Sequence, residues 1–273
     1  MSHDPGSSTK SAADSAGDNK GLQMLARGGY AVSGLLHIII GYLAVRVATG
    51  SGENADSSGA FQEIAKTPGG AVVLWFAVVA FAALAIWQIT EAVAPGPGDE
   101  KERQAHRLKS AGKAVLYLVL AYVAFTFASG GGSGGGGGTQ ESLTAQVMGN
   151  PAGRILIGAI GVGIVAAAVF HVVKGWRKKF LEDLQGNAGG NVGKAVVVLG
   201  RVGYIAKGFA LGVLGVLFVA AAATADPDKA GGLDDALKAI RDQPFGPVLL
   251  IATGIGFAAY GVYSFARARY AKL

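Results

Sequence analysis

The side chains best suited to chemistry in this sequence are the few polar ones inside its long apolar stretches. Ionisable groups in hydrocarbon are costly, so they are the default functional candidates of a membrane protein. These candidates are His37, Gln88, Glu91, His171, Lys174 and Lys207. All except His37 are predicted near one end of their spans, in the cytoplasmic third. The alternative is that the lysines reach water from helix ends and each histidine bonds a backbone carbonyl.

Metal, haem and hydrolytic chemistry find little support in the sequence. The chain has no cysteine, which excludes disulfides, thiolate zinc sites and cysteine nucleophiles. His37 and His171 could ligate a haem or a metal, but no carboxylate motif accompanies them. Paired intramembrane carboxylates are also missing from the sequence. We therefore expect no cofactor, no metal and no enzymatic activity.

Membrane-spanning helices must position these candidates. Hydrophobic residues make up 51% of the 273 residues and charged residues only 15%, against about a quarter in soluble domains. Six apolar stretches are each long enough to cross about 30 Å of hydrocarbon as a helix. We predict an all-α integral membrane protein with spans at 29–48, 71–93, 111–128, 154–173, 202–223 and 248–265.

The orientation follows from the basic residues. Most lysines and arginines lie in the tails and loops on one side of the predicted spans. By the positive-inside rule, both termini are predicted to be cytoplasmic in the plasma membrane. The basic residues beside the spans account for the net charge of +6. This charge therefore does not indicate binding to nucleic acid, and we expect no nucleic-acid partner. Residues 1–24 lack a leader pattern, and they predict a disordered tail without a signal peptide.

Three sets of landmarks show that the chain repeats one two-helix hairpin. The first set opens the odd-numbered spans: Arg27, Gly29, Tyr30 and Gly34 in copy one, Gly112 in copy two, and Arg201, Gly203, Tyr204 and Gly208 in copy three. The second is Pro-x-Gly before the even-numbered spans: Pro68 with Gly70, Pro151 with Gly153, and Pro244 with Gly246. The third ends those spans with an aromatic residue and, four residues later, a charge: Trp87 and Glu91, Phe170 and Lys174, Tyr263 and Arg267. Copy two has Lys113 at the tyrosine position.

The landmarks divide the chain into hairpins at 25–95, 96–180 and 200–273, with a cytoplasmic linker at 181–199. Each hairpin enters and leaves on one side, so the repeats are parallel, and we expect a pseudo-threefold arrangement about the membrane normal. Segments 60–65, 141–148 and 233–240 precede the Pro-x-Gly motifs and predict short interfacial helices. The glycine run at 130–138 lacks the Lys-Ser/Thr of a phosphate loop and predicts a flexible linker.

On these motifs the chain, from about Leu25 onward, resembles a family of actinobacterial membrane proteins. Members are built from three consecutive two-helix repeats of a domain of unknown function, DUF1206. The resemblance implies the fold and the membrane location, and it implies no activity.

Two functional interpretations lead, and a third, a small enzyme on lipid substrates, would need a clustered acid–base pair facing one leaflet. The first is a non-enzymatic structural or interaction component of the membrane, whose expected partners are the lipid bilayer and a membrane protein or a second copy. The alternative is a small-solute or ion transporter or channel with a polar pathway near the cytoplasmic third. A further hypothesis is that Glu91 joins adjacent hairpins by pairing with Lys174, Lys207 or Arg267.

Overall fold

The computed structural model describes residues 20–50, 54–93, 99–131, 144–184 and 190–271. Its long helices are α1 (Lys20–Ala48), α3 (Gly70–Val93), α4 (Glu100–Ala128), α5 (Pro151–Trp176), α6 (Gly190–Thr224) and α8 (Gly246–Tyr270). Two short helices, α2 (Ser57–Ala65) and α7 (Leu233–Arg241), precede α3 and α8. Residues 144–148 are helical before α5. The tail before residue 20 and most of the glycine run lie outside the described residues.

Within the described residues, six helices are long and apolar enough to span a membrane, as the sequence predicts. Several extend beyond their apolar segments. Helix α4 begins at Glu100 because the Asp99 side chain accepts a hydrogen bond from the Glu102 amide at 2.9 Å and caps the helix. Its first turns are charged and continue the helix outside the lipid. We call the end where α1 begins and α8 ends the terminal face, and the other end the loop face.

The most extensive helix packing joins successive hairpins. Helix α3 packs on α4, α5 packs on α6, and α8 packs back on α1. Contacts within hairpins one and three are fewer, and within the described residues α4 and α5 of hairpin two hardly touch. Each even-numbered span therefore pairs with the odd-numbered span of the next hairpin, and the last hairpin closes on the first. This order is compatible with the predicted pseudo-threefold arrangement, which stays a prediction.

Glycines bring two of these three helix pairs into close contact, as is common between membrane helices. A Cβ atom on Gly34 would lie 2.8 Å from the Gly261 carbonyl oxygen, and one on Gly41 would overlap that of Gly254. In the α5–α6 pair, a Cβ on Gly208 would lie 2.8 Å from the Ala168 carbonyl oxygen. At these positions only glycine fits without displacing a backbone. In the α3–α4 pair, by contrast, nothing in the described structure lies within 4 Å of a Cβ built on Gly112.

The glycine of each Pro-x-Gly motif is required for the same structural reason in all three hairpins. A Cβ on the motif glycine would overlap a carbonyl oxygen at the end of the preceding short helix, which belongs to Ile64, Val147 or Ile240 in turn. Helices α3 and α8 begin at the motif glycines, as predicted. Helix α5 differs because it begins at Pro151, where Asn150 supplies the cap. The three motif glycines thus make the same kind of close contact with the preceding short helix, which supports the repeat assignment.

The loop face is closed by apolar packing. Phe61 of α2 is fully buried against Phe81 and Phe127, with ring centroids 6.5 and 6.2 Å away. Leu237 of α7 is fully buried in the same cluster. The neighbouring Asp234 accepts a hydrogen bond from the Ala55 amide at 2.8 Å, which links α7 to the segment before α2.

Candidate binding site at the terminal face

A polar cavity lies at the terminal end of the α3–α4 pair, where no glycine contact draws the two helices together. Its volume is about 390 Å³. Residues from all three hairpins and the linker line it: Tyr30, Trp87, Gln88, Glu91, His106, Ser110, Lys113, Glu182, Asp183, Arg267 and Ala271. The cavity therefore lies where the hairpins meet, at the terminal edge of the predicted spans.

Three buried polar atoms in the described residues have no hydrogen-bond partner, and all three belong to residues that line this cavity. They are Gln88 Oε1, His106 Nδ1 and Arg267 Nε. Gln88 is only 4% exposed. A buried polar atom without a partner costs free energy, about 1–3 kcal/mol, so such atoms mark places that water or a ligand completes.

Asp183 is the carboxylate around which the cations of the terminal face gather. Lys174 Nζ lies 2.6 Å from Asp183 Oδ2, and Arg267 Nη2 lies 4.0 Å from the same oxygen. Lys109 and Lys113 of α4 interact electrostatically with Asp183 as well. Asp183 thus connects α4, α5 and α8. Burial alone would raise the pKa of Asp183, but the charges of Arg267, Lys174 and Lys113 hold that pKa below its ordinary value.

The segment that carries Asp183 is fixed by a buried aromatic anchor. Phe180 is fully buried, and its ring lies 5.4 Å from Tyr204 and 5.2 Å from Tyr263. The Tyr263 hydroxyl donates a hydrogen bond to the Phe180 carbonyl oxygen at 3.3 Å. Leu184 forms an antiparallel bridge with Ala271. The linker therefore holds Asp183 in place with both backbone and ring contacts.

The predicted pairing of Glu91 with Lys174, Lys207 or Arg267 is wrong. Glu91 lies 3.5 Å from His106 Nε2, and its side chain is 40% exposed. Its position on α3 directs it to the α3–α4 pair, whereas Lys174 and Arg267 converge on Asp183 of the linker. The carboxylate that joins the hairpins is therefore Asp183.

The structure brings together two other predicted candidates, His37 and Lys207. Lys207 Nζ lies 3.2 Å from His37 Nε2, and it lies 4.6 Å from the centre of the Tyr260 ring. His37 Nδ1 lies 2.7 Å from the Ser33 carbonyl oxygen, so it carries the proton and Nε2 accepts from Lys207. His171 Nδ1 lies 2.7 Å from the Ala167 carbonyl oxygen. Both histidines thus bond the backbone, as the simpler interpretation expects.

The repeat arginines also lie where successive hairpins meet. Arg27 donates hydrogen bonds to the carbonyl oxygens of Ala268, Arg269 and Ala271 at the end of α8. Arg201 stacks on Trp176 at the end of α5, with its guanidinium carbon 4.8 Å from the ring centre. Tyr30 supports Arg267, whose guanidinium carbon lies 4.4 Å above the tyrosine ring. Copy two has Lys113 at this tyrosine position, and this departure from the repeat supplies a cation to the cavity.

Comparison with known proteins agrees with this threefold division. The Domain of Unknown Function (DUF1206) matches the chain three times, at residues 28–94, 108–178 and 202–271. The chain belongs to the DUF1206 family. It is also 29% identical over 255 residues to the uncharacterized protein YxxB of Bacillus subtilis (strain 168), with 91% of each chain covered. No solved structure matches the chain. An actinobacterial distribution stays a prediction.

Three residues that line the cavity lie outside the segments matched to DUF1206. His106 precedes the second match, and Glu182 and Asp183 lie between the second and third. Repeat comparison could not have found them, because all three positions lie outside the repeats. The available signal for His106 was the charged sequence from Glu100 to Lys109, which continues α4 beyond the predicted start of the span. For Asp183 the sequence carries no comparable signal.

Proposed function

We propose that this DUF1206 protein binds a small polar solute in the membrane, as a transporter or channel component and without enzymatic activity. The observation that carries the proposal is the polar cavity of about 390 Å³ shared by three hairpins at the terminal face. A purely structural bundle has no need for unpartnered polar atoms around a void. The apolar packing of Phe61 and Leu237 supports access from the terminal face alone.

A catalytic role for this cavity has weaker support. The cavity lining includes an acid, a base and a hydroxyl group, in the residue types that a catalytic triad uses: Glu91, His106 and Ser110. A serine nucleophile, however, needs a histidine nitrogen within hydrogen-bond distance. His106 Nδ1 has no hydrogen-bond partner, and Nε2 faces Glu91. Within the described residues, no group of three or more His, Asp or Glu side chains could hold a metal. Binding accounts for these contacts better than catalysis.

Access to the cavity can be tested with single thiols, because the natural chain has no cysteine. A Lys113→Cys thiol should react with a membrane-impermeant reagent added at the terminal face and stay protected from reagent at the loop face. The matched control is Ala124→Cys on the same helix, because Ala124 is fully buried towards the loop face. That thiol should be unreactive from both sides. Equal reactivity of the two thiols, or a Lys113→Cys thiol that reacts only from the loop face, would contradict the proposed access.

The orientation of the bundle is part of the proposal. The hydrogen bonds of Arg27 support both chain ends at one face, and the basic residues favour the cytoplasm for that face. A reporter active only in the cytoplasm should be active when fused after Leu273 and inactive when inserted between Gly130 and Gly138. A reporter active only outside should give the reverse. An external C-terminus would contradict the orientation.

The structural or interaction role remains the competing interpretation. The spans provide surfaces for lipid, and α5 is the least buried of the six within the bundle. A stoichiometric protein partner recovered in mild detergent, together with an unreactive Lys113→Cys thiol, would favour that role over solute binding.

A further inference from the structure

We infer that the terminal-face cavity binds a small zwitterion, with its ammonium group near Gln88 and His106 and its carboxylate on Arg267. This inference rests on the proposed solute-binding function and adds the chemical class of the ligand. It follows from which polar atoms are unpartnered, and from the charges beside them.

One part of the cavity lining offers hydrogen-bond acceptors. Gln88 Oε1 is buried and unpartnered. His106 Nε2 lies 3.5 Å from the Glu91 carboxylate, and the neutral tautomer with its proton on Nε2 presents Nδ1 as an acceptor. Glu91 adds a negative charge to the same lining. An ammonium group supplies three N–H donors and a positive charge, which matches two unpartnered acceptors beside a carboxylate.

Another part of the lining offers donors. Arg267 Nε is buried and unpartnered, and Nη2 lies 4.0 Å from Asp183, beyond hydrogen-bond distance. The two nitrogens share one edge of the planar guanidinium group, which is the edge that binds a carboxylate through two parallel bonds. Asp183 does not use this edge because its Oδ2 atom is already bound by Lys174 at 2.6 Å. Lys113 adds a second cation to the lining.

The charge balance favours a ligand without net charge. The cavity lining contains the carboxylates of Glu91, Glu182 and Asp183 and the cations of Lys113 and Arg267, and Lys174 compensates Asp183 from outside it. The lining is therefore close to neutral, and a simple cation or anion would leave one part uncompensated. The volume of about 390 Å³ lies at the small end of ligand sites, which suits a short amino carboxylate.

The test measures thermal stability of the full chain in detergent with three pooled probe sets. These are short-chain amino carboxylates, the carboxylates of the same chain lengths without the amino group, and the primary amines without the carboxylate. The amino carboxylates should raise the unfolding temperature by mass action. Their half-saturating concentration should be lower than that of either single-ended set by at least about tenfold, because each set lacks one charged contact.

Substitution of Gln88 separates ligand binding from folding. Gln88→Leu removes an unpartnered buried acceptor, so the ligand-free protein should be as stable as the natural chain or more stable. Binding of the amino carboxylates should weaken by about tenfold or more. The matched control is Gln243→Leu, the same change at an exposed position near the loop face. Its binding should equal that of the natural chain.

The possible failures are distinguishable. Carboxylates or amines that bind as tightly as amino carboxylates would overturn the zwitterion and leave solute binding intact. No response to any probe set, with a reactive Lys113→Cys thiol, would overturn this ligand class while the accessible cavity stands. No response together with an unreactive thiol would overturn the proposed function itself. Amino carboxylate binding that Gln88→Leu leaves unchanged would place the ligand elsewhere and overturn the inference.

Discussion

Asp183→Asn should destabilise the protein by about 2–3 kcal/mol at neutral pH. The change leaves Lys174 and Arg267, whose side chains are only 11% and 17% exposed, without their shared carboxylate. Breaking a fully buried ion pair costs roughly 3–5 kcal/mol, and the partial exposure of Asp183 reduces that figure. The measurement is the unfolding temperature of the purified protein in detergent, with Glu182→Gln as the neighbouring control. Glu182 forms no ion pair within the described residues, so its variant should melt like the natural chain.

The stabilisation of the fold by Asp183 should depend on pH. The pKa of Asp183 is lowered in the folded protein, so its ionised form favours folding. The contribution of the Asp183 carboxylate to folding stability is complete above the pKa of an aspartate in the unfolded chain, about 3.9. It is lost as the pH falls through the lower pKa of Asp183 in the folded protein. The facing charges are Arg267 of α8, Lys174 of α5, and Lys113 and Lys109 of α4. The difference between the natural chain and Asp183→Asn should therefore shrink only in strong acid. A difference that is constant down to strong acid would show that the carboxylate is not the cause.

Gly41→Ala should also destabilise the bundle, by roughly 1–3 kcal/mol, because overpacked sites force backbones apart. A methyl group on Gly41 would overlap the Gly254 carbonyl oxygen, and Gly34 and Gly261 oppose each other in the same way. The substitution therefore acts on the contact through which α8 closes on α1. Gly41→Leu should prevent that closure altogether. Unfolding temperature and the yield of monodisperse protein in detergent measure both effects.

Gly163→Ala is the matched control for this substitution. Gly163 lies within α5, and nothing in the described structure lies within 4 Å of a Cβ built there. The same change in chemistry should leave the unfolding temperature unchanged or raise it slightly, because alanine favours helix over glycine. If Gly41→Ala and Gly163→Ala melt alike, the close approach of α1 and α8 does not stabilise the fold.

The sequence was sufficient for the spans and the repeats because both depend on local patterns. Long apolar segments require helices in lipid whatever their neighbours are. The Pro-x-Gly motifs were detectable because a glycine must pass the same carbonyl oxygen in each copy, as at Gly70 and Gly153. The three matches to DUF1206 confirm the predicted number of repeats.

The site was predicted only in part because its contacts are not local. Gln88 and Glu91 were candidates from their depth in the span, and both line the cavity. The depth of a residue in its span does not determine which helix its side chain faces. Glu91 was therefore predicted to pair with cations that instead lie beside Asp183. Asp183 comes from a linker without a repeat counterpart, and only the packing of Phe180 places it among the spans.

The closure of hairpin three on hairpin one has a consequence for biosynthesis. Of the six spans, α1 is synthesised first, yet its main packing partner α8 is synthesised after the other five. Throughout translation, the Gly34 and Gly41 surface of α1 must therefore face lipid or the insertion machinery. A ribosome that stalls before the sixth span would release a chain with this surface uncovered. This surface distinguishes incomplete chains for quality control, because only a chain that includes α8 hides it.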